Sequence, residues 1–209
     1  MIPEYAESLA RQLSFDPALS RSVRQEVEDH LWEAAGDGSP ELQRRAIAAF
    51  GDPQVIARQL AAAAVSGRAR RTGVALVLAL AGVFLAMNAR LGWYELTQWG
   101  VCEQTRTLGD AVALVDRLAF WCAALGAAAA AWAYRRHLVA FFVLCAVTTG
   151  AILTSVACDA ALTALRLAGW EWSTYFAIPL ATMAAEIACA AVLVAELRAT
   201  PLAYLRENT

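Results

Sequence analysis

The chain has 209 residues, 59% of them hydrophobic, and a formal net charge of −2. That apolar share exceeds the level usual for a soluble domain and makes membrane integration the first inference. The near-neutral charge supplies no broad basic footprint, so direct binding of DNA or RNA by the chain itself is set aside.

The front third reads as water-soluble and helical. A first helix begins near Pro3 and carries Tyr5, Leu9 and Leu13 on one face. Asp16 caps a second helix that opens with Pro17, in which Leu19, Val23, Val27 and Leu31 recur every four residues. Arg21, Arg24, Glu28 and Asp29 fall on its other side. Gly36, Asp37 and Gly38 end it, and Ser39 with Pro40 opens a third helix with Leu42, Ala46, Ile47 and Phe50 facing inward. Phe50, Gly51, Asp52 and Pro53 then form a sharp corner. Glycine can close one helix in the left-handed conformation, aspartate can cap the next, and proline suits its first position. The fourth helix offers Val55, Ile56 and Leu60 to the core. It then runs toward Arg68, Arg70 and Arg71 as one continuous helix or as two abutting ones.

These residues resemble the HAAS-type signalling domain, also seen as a helical prefix domain of bacterial permeases. The resemblance rests on the acidic amphipathic helix from Val23 to Trp32, the loop from Gly36 to Pro40, the helix ending in Ala48, Ala49 and Phe50, and Gly51, Asp52, Pro53 followed by Val55, Ile56, Ala57 and Leu60. It implies a cytoplasmic regulatory or interaction module on a membrane protein, with a partner such as a PadR-like transcription regulator, and brings no catalytic residue with it. Arg44 and Arg45 are the residues to test first for partner contact. Glu26, His30 and Glu33 share a helix side and could in principle hold a divalent ion. We read His30 instead as a solvent-facing or boundary residue among helix charges.

Four later stretches have the roughly twenty apolar residues that a membrane crossing needs: about 72–91, 108–132, 138–165 and 174–194. Arg68, Arg70 and Arg71, then Arg135 and Arg136, then Arg198 and Arg206 all fall on one side. By the excess of arginine in cytoplasmic loops, both termini are expected inside the cell. Trp93, Tyr94, Trp99, Trp170, Trp172 and Tyr175 fall on the other side as interface anchors. The expected architecture is all-α: a cytoplasmic headpiece over 1–67, a four-helix transmembrane bundle within 68–197 and a short cytoplasmic tail over 198–209. The N-terminus lacks the pattern of a cleaved signal peptide, and a bacterial inner membrane is the expected location.

Polar groups inside spans carry the most information, since each is costly in lipid. Asn88, Arg90, Asp116, Arg117, Asp159 and Glu186 are the candidates. Arg117 with Asp159 or Arg90 with Asp116 are the expected couples, and Thr148, Thr149 or Thr154 the expected neighbours of Glu186. They either lock the bundle together or line a polar pocket. Cys102 and Cys158, near the same membrane face, could form a disulfide; Cys122, Cys145 and Cys189 read as apolar packing residues. Small residues in the spans would permit a homo-oligomer.

No glycine loop followed by lysine exists, the chain having no lysine at all, and no paired-histidine metal motif. Neither a cofactor, a metal site nor an enzymatic activity is therefore expected. The leading reading is a membrane regulatory protein whose headpiece binds a transcription regulator or sigma factor; the alternative is a small transporter component or accessory subunit with an intramembrane polar path.

Overall fold

The computed structural model describes residues 1–36, 38–98, 103–167 and 176–198. They form seven α-helices, α1 (Ile2–Gln12), α2 (Pro17–Ala35), α3 (Pro40–Phe50), α4 (Pro53–Thr97), α5 (Arg106–Tyr134), α6 (Leu138–Leu167) and α7 (Ala177–Arg198). A single 3-10 turn at Glu103–Thr105 precedes α5, and no strand occurs among the described residues. The chain divides into two compact units, the first comprising Met1–Arg68 and the second beginning at Ala69.

In the first unit the helix starts are fixed by side-chain caps. Asp16 Oδ1 accepts from the amides of Ala18 and Leu19, each at 3.1 Å, and Ser39 Oγ accepts from Leu42 at 3.4 Å. Pro17 and Pro40 sit just inside, where the missing amide hydrogen leaves nothing unsatisfied. The amphipathic faces then meet: Ile2, Tyr5, Ala6, Leu9, Leu13, Val23, Val27 and Leu31 are buried, with Ile47 and Phe50 packed against them. α4 joins this core through Ala57 and Ala61, flanked by Ile56 and Leu60.

Two inward residues expected from periodicity are on the surface. Leu42 on α3 and Val55 on α4 are exposed; the buried stripe of α3 runs through Ala46 and that of α4 through Ala57 and Ala61, whose small side chains admit α4 to the core.

The corner is tied down from a distance. Gly51 has φ 113° and ψ −166°, not the left-handed helical conformation expected but an extended positive-φ one that essentially only glycine adopts. Its amide donates to the Ile47 carbonyl at 3.2 Å, and Asp52 Oδ1 caps α4 by accepting from the Gln54 amide at 2.8 Å. The Gly51 carbonyl accepts from the Tyr5 hydroxyl at 2.8 Å, and the Tyr5 ring meets Phe50 edge-on. The first helix thereby holds the turn that starts the fourth. Burial raises the Tyr5 phenol above its usual range, and the Asp52 carboxylate adds to the effect.

The second unit is built by neighbours that march in register. Along α5 and α6, Tyr134 meets Phe141 edge-on, Gly126 faces Thr148 and Asp116 meets Ser155, so these two helices run antiparallel. Between α4 and α6, Gly73 faces Phe141 and Arg90 meets Asp159, so these run parallel. Gly82 approaches Cys189 so closely that an added Cβ would lie 2.7 Å from its sulfur, which places α7 tight against α4.

α4, α5, α6 and α7 are long and apolar enough to span a membrane. Their outward side chains are large and apolar: Leu78, Leu85, Trp121 and Leu125 are 65%, 67%, 65% and 68% exposed. An apolar exterior around a partly polar interior is the arrangement lipid requires. The first span is part of a single 45-residue helix that begins at Pro53.

Gly51→Val is expected to weaken the headpiece by about 1–3 kcal/mol through backbone strain, since a Cβ there meets only Ile56 at an ordinary 3.7 Å. Faster hydrogen exchange at α1 and α3 amides in the full-length protein is the readout, and Gly51→Asn should accelerate it as well, since φ 113° with ψ −166° is essentially reserved for glycine. The Tyr5 contribution is intact below its unbound value of 10.0 and is lost as pH rises beyond it. Tyr5→Phe should cost about 1 kcal/mol at neutral pH and remove that alkaline decline, measured by the same exchange experiment as a function of pH.

Candidate functional site

Two regions carry the polar chemistry. In the first unit, α3 presents Arg44 and Arg45 to solvent; Arg44 Nε donates to the Pro40 carbonyl at 3.2 Å, leaving the rest of the guanidinium available. His30 is exposed and leans on the Phe50 ring, and Glu26 and Glu33 are exposed as well. Among the described residues no group of histidine, cysteine or carboxylate side chains is arranged to hold a metal. The surface of α2 is tied to its neighbours by Arg24 with Glu7 at 2.8 Å and by Arg68 with Asp16 at 3.7 Å.

In the second unit a guanidinium sits at the centre of the bundle. Arg90, on α4, is 2% exposed. Its two terminal nitrogens donate to both oxygens of Glu186 on α7, at 3.1 and 2.9 Å. The same Nη2 contacts Asp159 Oδ2 on α6. On α5, Asp116 accepts from the Ser155 hydroxyl of α6 at 2.5 Å and lies within the electrostatic reach of Arg90. Asp116, Asp159 and Glu186 are all buried. These groups stand about two to three helical turns from one end of the bundle, where α4 and α6 finish and α5 and α7 begin; we call it the distal end. Toward it, the Tyr94 hydroxyl pairs with Thr163 at 3.1 Å, and the Arg166 guanidinium lies 4.0 Å from the centre of the Tyr94 ring.

Four of the six candidate intramembrane residues are thus brought together, in pairings that sequence depth did not give. Arg90 joins Glu186 and Asp159; neither expected couple forms as an ion pair. Asp116 and Arg117 are adjacent in a helix, so their side chains diverge by about 100°, and only Asp116 faces in. Arg117 is exposed. Asn88 is exposed too and donates to the Phe84 carbonyl of its own helix at 2.8 Å. Thr148, Thr149 and Thr154 do not reach Glu186, because each donates to the carbonyl four residues earlier, at 2.8, 2.7 and 3.0 Å.

Tyr94, expected at the interface, is buried against Phe176 and Trp93. Trp99, Trp170, Trp172 and Tyr175 lie outside the described residues, as do Cys102 and Arg206. Cys158 is a half-buried thiol on α6, and its proposed partner Cys102 has no described position. Cys122 faces outward and Cys145 is buried. At the opposite end Arg70, Arg71, Arg135, Arg136 and Arg198 are all exposed, with Arg136 over the Trp132 ring.

Ser155, Thr163 and Arg166 were not singled out, and Tyr94 was assigned to the interface instead of to this cluster. The signal was present on α6, where Ser155, Asp159 and Thr163 recur every four residues and so share one face.

Against known families, residues 4–59 match the HAAS model. The front of the chain is a HAAS domain. No curated protein and no solved structure matches the chain. The HAAS match covers α1, α2 and α3 and ends inside α4, and it includes the Gly51 corner, Arg44 and Arg45. Four helices of membrane-spanning length and composition accompany the HAAS domain.

Arg90→Gln is expected to destabilise the bundle by about 3–5 kcal/mol, because Glu186 and Asp159 would remain buried without their counter-charge. Arg117→Gln, at an exposed position, should change stability by no more than about 0.5 kcal/mol. Thermal melting of the two variants in the same detergent separates these outcomes.

Proposed function

We propose that this protein is a membrane-bound regulator whose HAAS domain binds a cytoplasmic partner, a transcription regulator or sigma factor, while α4 to α7 anchor it in a bacterial inner membrane. The single observation that carries the reading is a HAAS domain in the same chain as four helices built for lipid. Regulatory partner binding is what that domain is associated with. The exposed arginines Arg70, Arg71, Arg135, Arg136 and Arg198 at one end of the bundle support a cytoplasmic setting for that end and for both termini, since arginine is enriched on the inner side.

Arg44 and Arg45 support a recognition role for α3. They are exposed neighbours on a helix whose opposite side, through Ala46 and Ile47, is engaged in the core. Two guanidiniums on a rigid helix suit an acidic or carbonyl-rich partner surface, where arginine forms directional, charge-assisted hydrogen bonds. Their substitution leaves the headpiece core untouched.

Crosslinking and affinity purification of the full-length protein from its native membrane tests the reading. A DNA-binding regulator or sigma factor should co-purify with the wild type and be depleted at least tenfold with Arg44→Glu/Arg45→Glu, at unchanged membrane abundance. Recovery of transporter subunits in its place would overturn it.

A further inference from the structure

We propose that the Arg90 cluster is a proton-binding site, holding at least one proton on its carboxylates at neutral pH in addition to the charge that Arg90 neutralises. The inference rests on the bundle alone and stands whether or not the headpiece binds a partner. Charge balance comes first. Three carboxylates, Asp116, Asp159 and Glu186, are buried around one buried guanidinium. Arginine remains protonated in proteins, so it supplies one positive charge and no more. The fork of Arg90 is committed to Glu186, and its Nη2 is shared with Asp159.

The groups facing this cluster from every helix are few. α4 contributes Arg90 and Tyr94, and α7 contributes Glu186. α5 contributes Asp116, with Arg117 beside it but exposed. α6 contributes Ser155, Cys158, Asp159 and Thr163, with Arg166 farther out over Tyr94. Full ionisation would leave two uncompensated negative charges among apolar helices, and isolated buried charges neutralise instead of remaining. Among the described residues no three of the histidine, cysteine or carboxylate side chains are grouped to hold a metal ion. A proton is the cation that needs no coordination shell.

The second, independent observation is geometric. Asp159 Oδ2 is buried and is held by Arg90 Nη2 alone, with no hydroxyl or amide donating to it. It lies between hydroxyls one turn away on either side, Ser155 toward Asp116 and Thr163 toward Tyr94. These steps of about 6 Å carry polar groups from Asp116 to Arg166 at the distal end. A carboxylate placed among groups that can donate and accept is suited to gain a proton and give it back.

Infrared difference spectroscopy of the full-length protein in lipid nanodiscs tests this. The wild type should show, at neutral pH, a carboxylic-acid carbonyl band that shifts in heavy water and fades as pH is raised. The band should weaken by at least half in Asp116→Asn or Asp159→Asn and persist in Glu103→Gln, an exposed control. Absence of the band in wild type, or its persistence through Asp116→Asn, Asp159→Asn and Glu186→Gln alike, would overturn the proposal. Should the aspartate variants fail to fold, a hydrophobic carbodiimide, which adds to protonated carboxyls, is applied to the wild type and its adducts mapped by mass spectrometry. An adduct on Asp116, Asp159 or Glu186 supports the site; adducts only elsewhere, or none, reject it.

Discussion

An arginine that cannot lose its charge, placed where water cannot reach, dictates how the surrounding helices must sit. Arg90 needs acceptors for its fork, and Glu186 provides two from α7 while Asp159 provides one from α6. Sliding any of these helices by a turn would move a partner by about 5.4 Å and strand a charge in the interior. Apolar side chains cannot impose such a register on their own, since lipid tails compete for them as well as neighbouring helices do. The glycines reinforce it by fixing distance: Gly82 lets α7 approach α4 at Cys189, and Gly126 lets α6 approach α5 at Thr148. Charge sets the longitudinal position, and missing side chains set the spacing.

The headpiece is governed by different physics. Its core is small, and the caps at Asp16, Ser39 and Asp52 make helix ends definite where burial alone leaves them loose. The Tyr5 hydroxyl closes the loop between the first helix and the Gly51 corner. A contact so distant in sequence restrains the turn more than the local amide bond from Gly51 to Ile47 can.

Local chemistry was legible from the residues because it depends on neighbours in the chain. The cap and proline pairs, the Gly51 corner and the four apolar helices all follow from short-range rules, and the Val23–Trp32 helix with that corner was enough to indicate HAAS resemblance. Azimuth was not legible. Whether Asp116 or Arg117 faces inward, and whether Val55 or Ala57 meets the core, depends on which side a partner helix occupies. Tyr5 illustrates the same limit: its place in an apolar stripe gave its burial, while the acceptor for its hydroxyl lies 46 positions away. Counting depth along spans put Arg90 and Asp159 near the same end but set Glu186 deeper, and so could not choose their mates.

The end of the HAAS match inside α4 has a consequence for how the module should be handled. The family pattern stops at residue 59, yet Leu60 and Ala61 complete the headpiece core and Arg68 reaches Asp16 at the start of α2. The segment that is recognisable by descent is therefore shorter than the segment that folds. A graft or excision drawn at the family boundary would sever a helix in mid-course and discard part of its own core. One drawn beyond Arg68 would keep both the Leu60 and Ala61 contacts and the Arg68 ion pair.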